Sequence, residues 1–395
     1  VNAHSHAFQR ALRGRAESRD PGHPHESFWT WREAMYHLAG RLDPELMWAI
    51  ARMAYLEMLL SGITTVGEFH YLQHGPGGQP YNNPDEMALQ VVRAASDAGL
   101  RQVLLRVAYH RAGWQRAAEP VQQRFFDATV DDVVAAAERL RSQGVAVGLA
   151  PHSVRAVPGE WLAPLHRQAG AWDVPFHMHL SEQPAEVEAC QGEHGVTPVG
   201  LLAREGILDE RLTAVHAIHL TADDRRRLAE ARAGICACPT TERNLGDGIL
   251  PAQALDGAVF SLGSDSHTQI NLLEDARELE YHLRLERLER VVLAERSLAS
   301  WLWRAATKGG ARALGLQAGE IAPGRPADLV AVSLDDPSLV AHDEDELLTN
   351  LVFSLERTAI RTVWVGGEVV VAEGRHRAQD GIVADYRTAL RKIWP

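Results

Sequence analysis

Short apolar runs rich in β-branched residues alternate along most of the chain with amphipathic stretches of helical period, and this alternation predicts β–α units wound around a parallel sheet. The runs Val1–His6, Ile63–Tyr71, Arg101–Tyr109, Val145–Ser153, Val174–Glu182, Leu212–Leu220, Gly234–Thr240 and Ala258–His267 read as eight strands. Helices are expected at Pro44–Ser61, Pro84–Ala98, Val130–Gln143, Glu160–Trp172, Pro198–Glu205, Thr221–Ala233 and Leu272–Arg290. Several of them run into a glycine (Gly62, Gly99, Gly144, Gly206), a common helix stop. Eight such units make the expected fold α/β, a (β/α)8 TIM-type barrel over residues 1–310. Ala7 to about Asp43 reads as one long loop at the end of the barrel where active sites are built. Beyond Gly310 the pattern shifts. Ala327–Val332 and Thr362–Val371 read as strands, the second a hairpin turning at Gly366-Gly367, so residues 311–395 are expected to form a small accessory β-domain with a C-terminal helix.

Composition adds limits. A hydrophobic fraction of 46% over 395 residues supports a large core. The net charge of −12 argues against a nucleic-acid partner, although a local pair of arginines can still receive an anion. No apolar run approaches the ~18 residues of a membrane span. Three cysteines (Cys190, Cys236, Cys238) are too few for a disulfide framework and make a reducing cytoplasm the expected location. The chain opens at Val1 without methionine, which leaves a targeting peptide open. Lys308 and Lys392 are its only lysines, and both follow the expected barrel. No middle-strand lysine is therefore available to bridge two metals, and a one-metal site is the simpler expectation.

Strand periodicity then gathers candidate ligands. His4 and His6 share a face at the end of strand 1, as do His177 and His179 on strand 5. His179 lies nearer the C-terminal end and is assigned to the metal; His177 is assigned to packing or second-layer support. Glu182 follows at the strand-to-loop turn, where a carboxylate can shuttle protons. On strand 6 only one of His216 and His219 can face inward, and His216 is chosen; His219 reads as a satisfied core or loop histidine. Asp265, closing an apolar strand, reads as ligand and base. Cys236 and Cys238 read as strand packing. The expectation is one divalent ion, with zinc the expected identity, held by His4, His6, His179 and Asp265, and with Glu182, His216 and Asp265 as catalytic groups.

The His-x-His opening, the His-x-x-Glu of strand 5, His216 and Asp265 resemble the mononuclear deaminase branch of the amidohydrolase superfamily. His4–Ala11, Ser27–Arg32, Glu68–Tyr71, His152–Ala156, Asn244–Gly248 and Gly263–His267 are similar, more narrowly, to the formimidoylglutamate deiminases. The resemblance implies hydrolysis of N-formimino-L-glutamate to N-formyl-L-glutamate and ammonia, a step of histidine breakdown. It also implies substrate contacts by Gln9, Arg32, Tyr71, His152 and Arg155. A small-molecule dicarboxylate fits two arginines at the barrel mouth; a homodimer is left open. The same resemblance implies strands ahead of strand 1 in the small β-domain. Only three residues precede His4, so those strands are expected to be missing from this chain. Two other readings stay open: a deaminase acting on a purine, pyrimidine or guanidino compound, and a catalytically silent metal-binding barrel.

Overall fold

The computed structural model describes residues 1–18, 26–294, 297–340 and 343–394. Eight parallel strands, β1 (Asn2–Ser5), β2 (Thr65–His70), β3 (Arg101–Ala108), β4 (Val147–Pro151), β5 (Phe176–Leu180), β6 (Leu212–His216), β7 (Gly234–Ala237) and β8 (Val259–Leu262), pair in sequence order. The ring closes where His6 N donates to the Asp265 carbonyl and Asp265 N to that of His4, each at 3.1 Å. Gly263 permits this approach. A Cβ there would stand 2.8 Å from the His4 Cβ and 2.9 Å from the Cys238 sulfur. The expected TIM-type barrel is what forms, with strands shorter than their apolar runs because the runs continue into the site-building turns.

Helices cover the outside: α1 (Phe28–Arg41), α2 (Pro44–Leu60), α3 (Glu86–Ala98), α4 (Val130–Ser142), α5 (Gly159–Trp172), α6 (Pro184–His194), α7 (Pro198–Arg204), α8 (Ala222–Glu230), α9 (Pro239–Leu245) and α10 (Leu272–Arg287). Their starts follow local chemistry. Asp43, Thr129, Thr197, Thr221 and Asn271 each cap a helix through a side-chain oxygen, a contact worth about 1 kcal/mol. Met178 and Leu180 point out to the helices and join the main apolar core, while His177 and His179 point into the barrel.

The long first loop is a correction. Its described part holds a 3-10 turn at Ala7–Leu12 and then α1, which Ser27 and Thr30 open with a capping box; residues 19–25 lie outside the described residues. The Phe-Trp-Thr-Trp-Arg run hid this helix because its aromatics break the usual apolar stripe. The apolar pattern does not show α6 or α9 either: α6 buries only Glu186 and Cys190, and α9 is seven residues long.

A second sheet, antiparallel, has the order β12-β11-β10-β9, from β9 (Leu329–Val332), β10 (Ile360–Val365), β11 (Glu368–Ala372) and β12 (Arg375–His376). The β10–β11 hairpin turns at Gly366-Gly367, both with positive φ (60° and 87°), as a tight two-residue turn requires. Asp328 fastens this sheet to the barrel: it accepts from Arg101 at 3.1 Å and from the Gly366 N–H at 2.6 Å. The C-terminal helix, Gln379–Ile393, lies against the first barrel units through Arg52–Asp385 and Arg10–Tyr386.

Candidate active site

Four donor atoms meet at the C-terminal end of the barrel. The Nε2 atoms of His4, His6 and His179 lie 3.2–3.4 Å from one another, and Asp265 Oδ1 lies 3.4 and 3.2 Å from those of His4 and His6. The ring orientations follow from the backbone. His6 Nδ1 donates to the Phe69 carbonyl at 2.9 Å and His179 Nδ1 to that of His152 at 3.0 Å, which leaves each Nε2 as a bare lone pair aimed at the centre. Burial pulls His4 down to about 3 and His179 well below its ordinary value, so both are neutral at neutral pH, as metal ligation requires. Burial alone would raise Asp265, but His4 and His6 outweigh it and hold the carboxylate well below its usual range. Lone pairs packed this closely repel unless a cation lies between them. A tetrahedron with zinc–ligand bonds of about 2.0–2.1 Å has edges of about 3.3–3.4 Å, so the donor set fits such an ion.

Beside this centre stands a layer of proton-handling groups. His216 ends β6 with a left-handed backbone (φ 72°); its Nε2 lies 3.7 Å from Glu182 Oε1 and 3.8 Å from Asp265 Oδ2. Its Nδ1 lies 3.2 Å from Oε1 of Glu242, a buried residue of α9 that also accepts from the Cys238 N–H. Burial would lower the imidazole, yet Glu182, Glu242 and Asp265 together hold it well above its ordinary value. The sequence reading missed Glu242; an acid inside a short helix after a strand carries no periodic signal. Glu68 lies in the Glu68–Tyr71 segment that carries the family resemblance, which gives it no role. That buried carboxyl accepts from Ser5 Oγ at 2.6 Å and from the Ala7 N–H at 2.7 Å, pinning the turn between the first two ligands and α1. Burial pushes Glu68 up to about 7 against those hydrogen bonds.

The pocket over the centre is lined by Gln9, Arg32, Tyr71, His152, Arg155 and Glu182 together with His6, His179, His216 and Asp265; aromatic walls come from Phe28, Trp31, Tyr36 and Tyr109. Every residue singled out for the site thus reaches it, His4 lying buried beneath. Arg32 stands on α1, not in a loop, with its guanidinium 4.7 Å from the Trp29 ring and 5.2 Å from that of Tyr36; its nearest acid, Glu119, is 4.0 Å away. Arg155, in the turn after β4, is engaged by acids: Nη2 donates to Glu182 Oε2 at 3.0 Å and Nε to Glu186 Oε2 at 3.1 Å. Glu186 is fully buried and also accepts from the Ser181 N–H at 2.8 Å. Gln9 donates to Tyr71 OH at 3.1 Å. Burial, reinforced by Arg155, holds His152 well below its ordinary value, a neutral ring facing the pocket.

The set-aside residues lie apart. His177 Nε2 bonds to the Ala313 carbonyl at 2.6 Å, at the closed end of the barrel, beside packed Ala3, Val215, Cys236 and Cys238. His219 Nε2 donates to the Asp247 carbonyl at 2.9 Å. The three cysteines are buried free thiols.

The amidohydrolase family model matches residues 1–370. The chain belongs to the amidohydrolase family. Among characterised relatives it is similar to the formimidoylglutamate deiminase of Pseudomonas aeruginosa, at 41% identity over 96% of this chain and 85% of that protein. It is also similar to the 8-oxoguanine deaminase of the same bacterium, at 32% identity over 100% of this chain and 86% of that protein. Among solved structures, an amidohydrolase from Brucella melitensis superposes with a TM-score of 0.90 at 36% identity, covering 100% of this chain and 88% of the other. A zinc-bound adenosine deaminase from Xanthomonas campestris does so with a TM-score of 0.82 at 25% identity, over 100% and 84% of the two chains. As an amidohydrolase, the chain is a hydrolase of a family whose members act on small molecules, and some of whose members bind zinc. No helix among its described residues is long and apolar enough to cross a membrane.

Proposed function

We propose that this amidohydrolase hydrolyses N-formimino-L-glutamate to N-formyl-L-glutamate and ammonia, with one divalent ion, zinc the expected one, held by His4, His6, His179 and Asp265. The observation that carries the reading is the meeting, in one pocket, of that four-donor centre, a buried carboxylate outside the donor set (Glu182) and two arginines. A count of one ion is supported by the lysines. Lys308 pairs with Glu320 and Lys392 lies near Glu45, so neither lines the pocket to bridge a second ion.

A divalent ion bound there supplies a Lewis acid that lowers the pKa of the attacking water from ~15.7 towards ~7. The side chains do the rest. Asp265 takes the water proton on Oδ2, the oxygen facing His216. His216, oriented by Glu242 and facing Glu182 and Asp265, sets the direction of attack and balances the charge that develops on the formimino group. Glu182 delivers a proton to the departing nitrogen, and ammonia leaves. Water adds and ammonia departs, so no other reactant is needed. Arg32 and Arg155 receive the two carboxylates, and Gln9, Tyr71 and His152 complete the contact surface.

A purine deaminase is the second reading, favoured by the aromatic lining (Phe28, Trp31, Tyr36, Tyr71, Tyr109) and by the 8-oxoguanine-deaminase relative. One assay separates them: ammonia release from N-formimino-L-glutamate set against cytosine, guanine, 8-oxoguanine and N-carbamoyl-glutamate. We expect kcat/KM for the formimino substrate to exceed the others by about 10²-fold or more. A purine turned over faster would overturn the proposal, and no turnover of any of them would favour a silent barrel.

A further inference from the structure

Outside the catalytic pocket lies a second cavity that shares Arg32 and Arg155 with it and is walled by Trp29 and Trp114. Three guanidinium groups gather on one indole there: Arg32, Arg116 and Arg155 stand 4.7, 5.4 and 5.9 Å from the Trp29 ring centre. Trp114 seats its ring against Gly192 of α6, where a Cβ would come within 2.7 Å, so the far wall is packed in place although the ring is partly exposed.

Three cations so close together repel unless acids or a ligand offset them. The acids at hand are already committed. Both oxygens of Glu193 are taken by Arg111, at 2.6 and 2.8 Å, and Glu186 is divided between Arg155 and the Ser181 N–H. Arg116 is exposed and, among the described residues, has no carboxylate within 4.0 Å. Arg32 has only a half-exposed acid at that limit. The cavity therefore offers open donors on an aromatic floor, a setting that suits a planar anion. The chain as a whole carries −12, so a dianion nearing it is repelled except where such a local field prevails.

We propose that this cavity is an entry subsite: Arg116, with Arg32 and Trp29, receives one carboxylate of an anionic substrate before it passes between Arg32 and Arg155 to the metal centre. This rests on the dicarboxylate reading above and adds Arg116 and Trp29 to it. The subsite acts on capture, not on the chemical step.

The test is steady-state turnover of N-formimino-L-glutamate by wild type, Arg116→Gln and Arg116→Glu at low and high salt, with melting curves to show that the exposed substitutions leave the fold intact. At low salt Arg116→Gln should lower kcat/KM about 3- to 10-fold through KM, with kcat within twofold, and Arg116→Glu should lower it further. The differences should close near 1 M salt, where the screening length falls to about 3 Å. Wild-type kcat/KM in Arg116→Gln at low salt, or a deficit that salt does not change, overturns the subsite. Should wild type fail to turn over this substrate, the substrate reading fails by itself. Calorimetric titration with glutarate then decides the subsite: weaker, salt-sensitive binding in Arg116→Gln supports it, and unchanged binding refutes it.

Discussion

The two sides of the pocket are held by different means. On the metal side, His6 and His179 are aimed by backbone carbonyls, and His4 and Asp265 stand at the strand junction that closes the barrel, so the main chain places all four donors. On the substrate side, Arg32 and Arg155 are held by other side chains: rings and a distant acid for one, two buried acids for the other. Such partners can be exchanged. A substrate carboxylate can take a place beside Arg155 only by sharing it with Glu182 and Glu186, whereas Arg32 meets it with little competition. The metal side is therefore a fixed frame, and the substrate side is a set of contacts that binding rearranges.

The largest effect should come from breaking the frame. His179→Ala should take metal content from about one ion per chain to a small fraction of that and abolish measurable turnover, since a three-donor remnant binds zinc far more weakly. Elemental analysis of the purified variant checks this. A variant that keeps its ion, or wild type needing two ions per chain, would show the donor set to be wrong. Next in size is Glu182→Gln, expected to keep the metal and lower turnover by about 10²- to 10⁴-fold, the usual worth of a positioned proton donor. Loss of metal in that variant would place Glu182 in the frame instead of beside it.

On the exchangeable side the arginines should behave differently from each other. Arg32→Ala should cost about 30- to 1000-fold in kcat/KM, mainly through KM, as a charge-assisted contact to one carboxylate is lost. Arg155→Ala should lose a similar amount in kcat/KM but also lower kcat, because Glu182 then loses the cation that holds it and Glu186 is left buried without its partner. A substrate analogue lacking one carboxylate separates contact from collapse. Wild type should use it poorly, and the arginine that binds the missing group should then matter much less. If Arg32→Ala and Arg155→Ala show the same division between kcat and KM, the two residues are not distinguished in the way their partners suggest.

The same contrast explains what was legible in the sequence. The frame leaves a periodic trace: His4 and His6 stand two apart at the end of the first strand, His179 stands two after His177 on β5, and the order of strands brings these strand ends together. Asp265 was found at the end of an apolar run even though the strand itself stops at Leu262 and the residue takes a left-handed backbone (φ 44°) to reach the centre. The residues that support the frame had no such signature. Glu242 reaches His216 from a seven-residue helix, and Glu68 reaches Ser5 across a strand pair; both are set by register between elements distant in sequence. On the substrate side Arg32 and Arg155 were reached only through family resemblance. Among 38 arginines, nothing in spacing marks these two, and nothing marks Arg116.

The smallest predicted effect tests how firmly the frame is supported from behind. Asp275, on α10, is fully buried; its Oδ1 accepts from the Thr240 N–H at 3.1 Å and from Thr240 Oγ1 at 2.8 Å, while Oδ2 has no partner among the described residues. Thr240 opens α9, and its neighbours Thr241 and Glu242 reach Ser266, beside Asp265, and His216. Burial pushes Asp275 up to about 8, so folding favours the protonated acid. Between the unfolded value near 3.9 and about 8 the native state holds a proton that the unfolded chain lacks, and stability falls as pH rises through that window. Asp275→Asn keeps an oxygen for Thr240 and removes the ionisation. The metal-free variant should therefore match wild type near pH 5 and exceed it near pH 9 by up to about 4 kcal/mol, about 1.4 kcal/mol for each pH unit between 5 and the native value of about 8. Urea midpoints at the two pH values measure the difference. Comparing variant with wild type at each pH cancels the slopes from Glu68 and Asp247, which burial also raises. Parallel pH curves for the two proteins would mean that Asp275 folds without taking up a proton, and the support behind the frame would then rest on an ionised carboxylate.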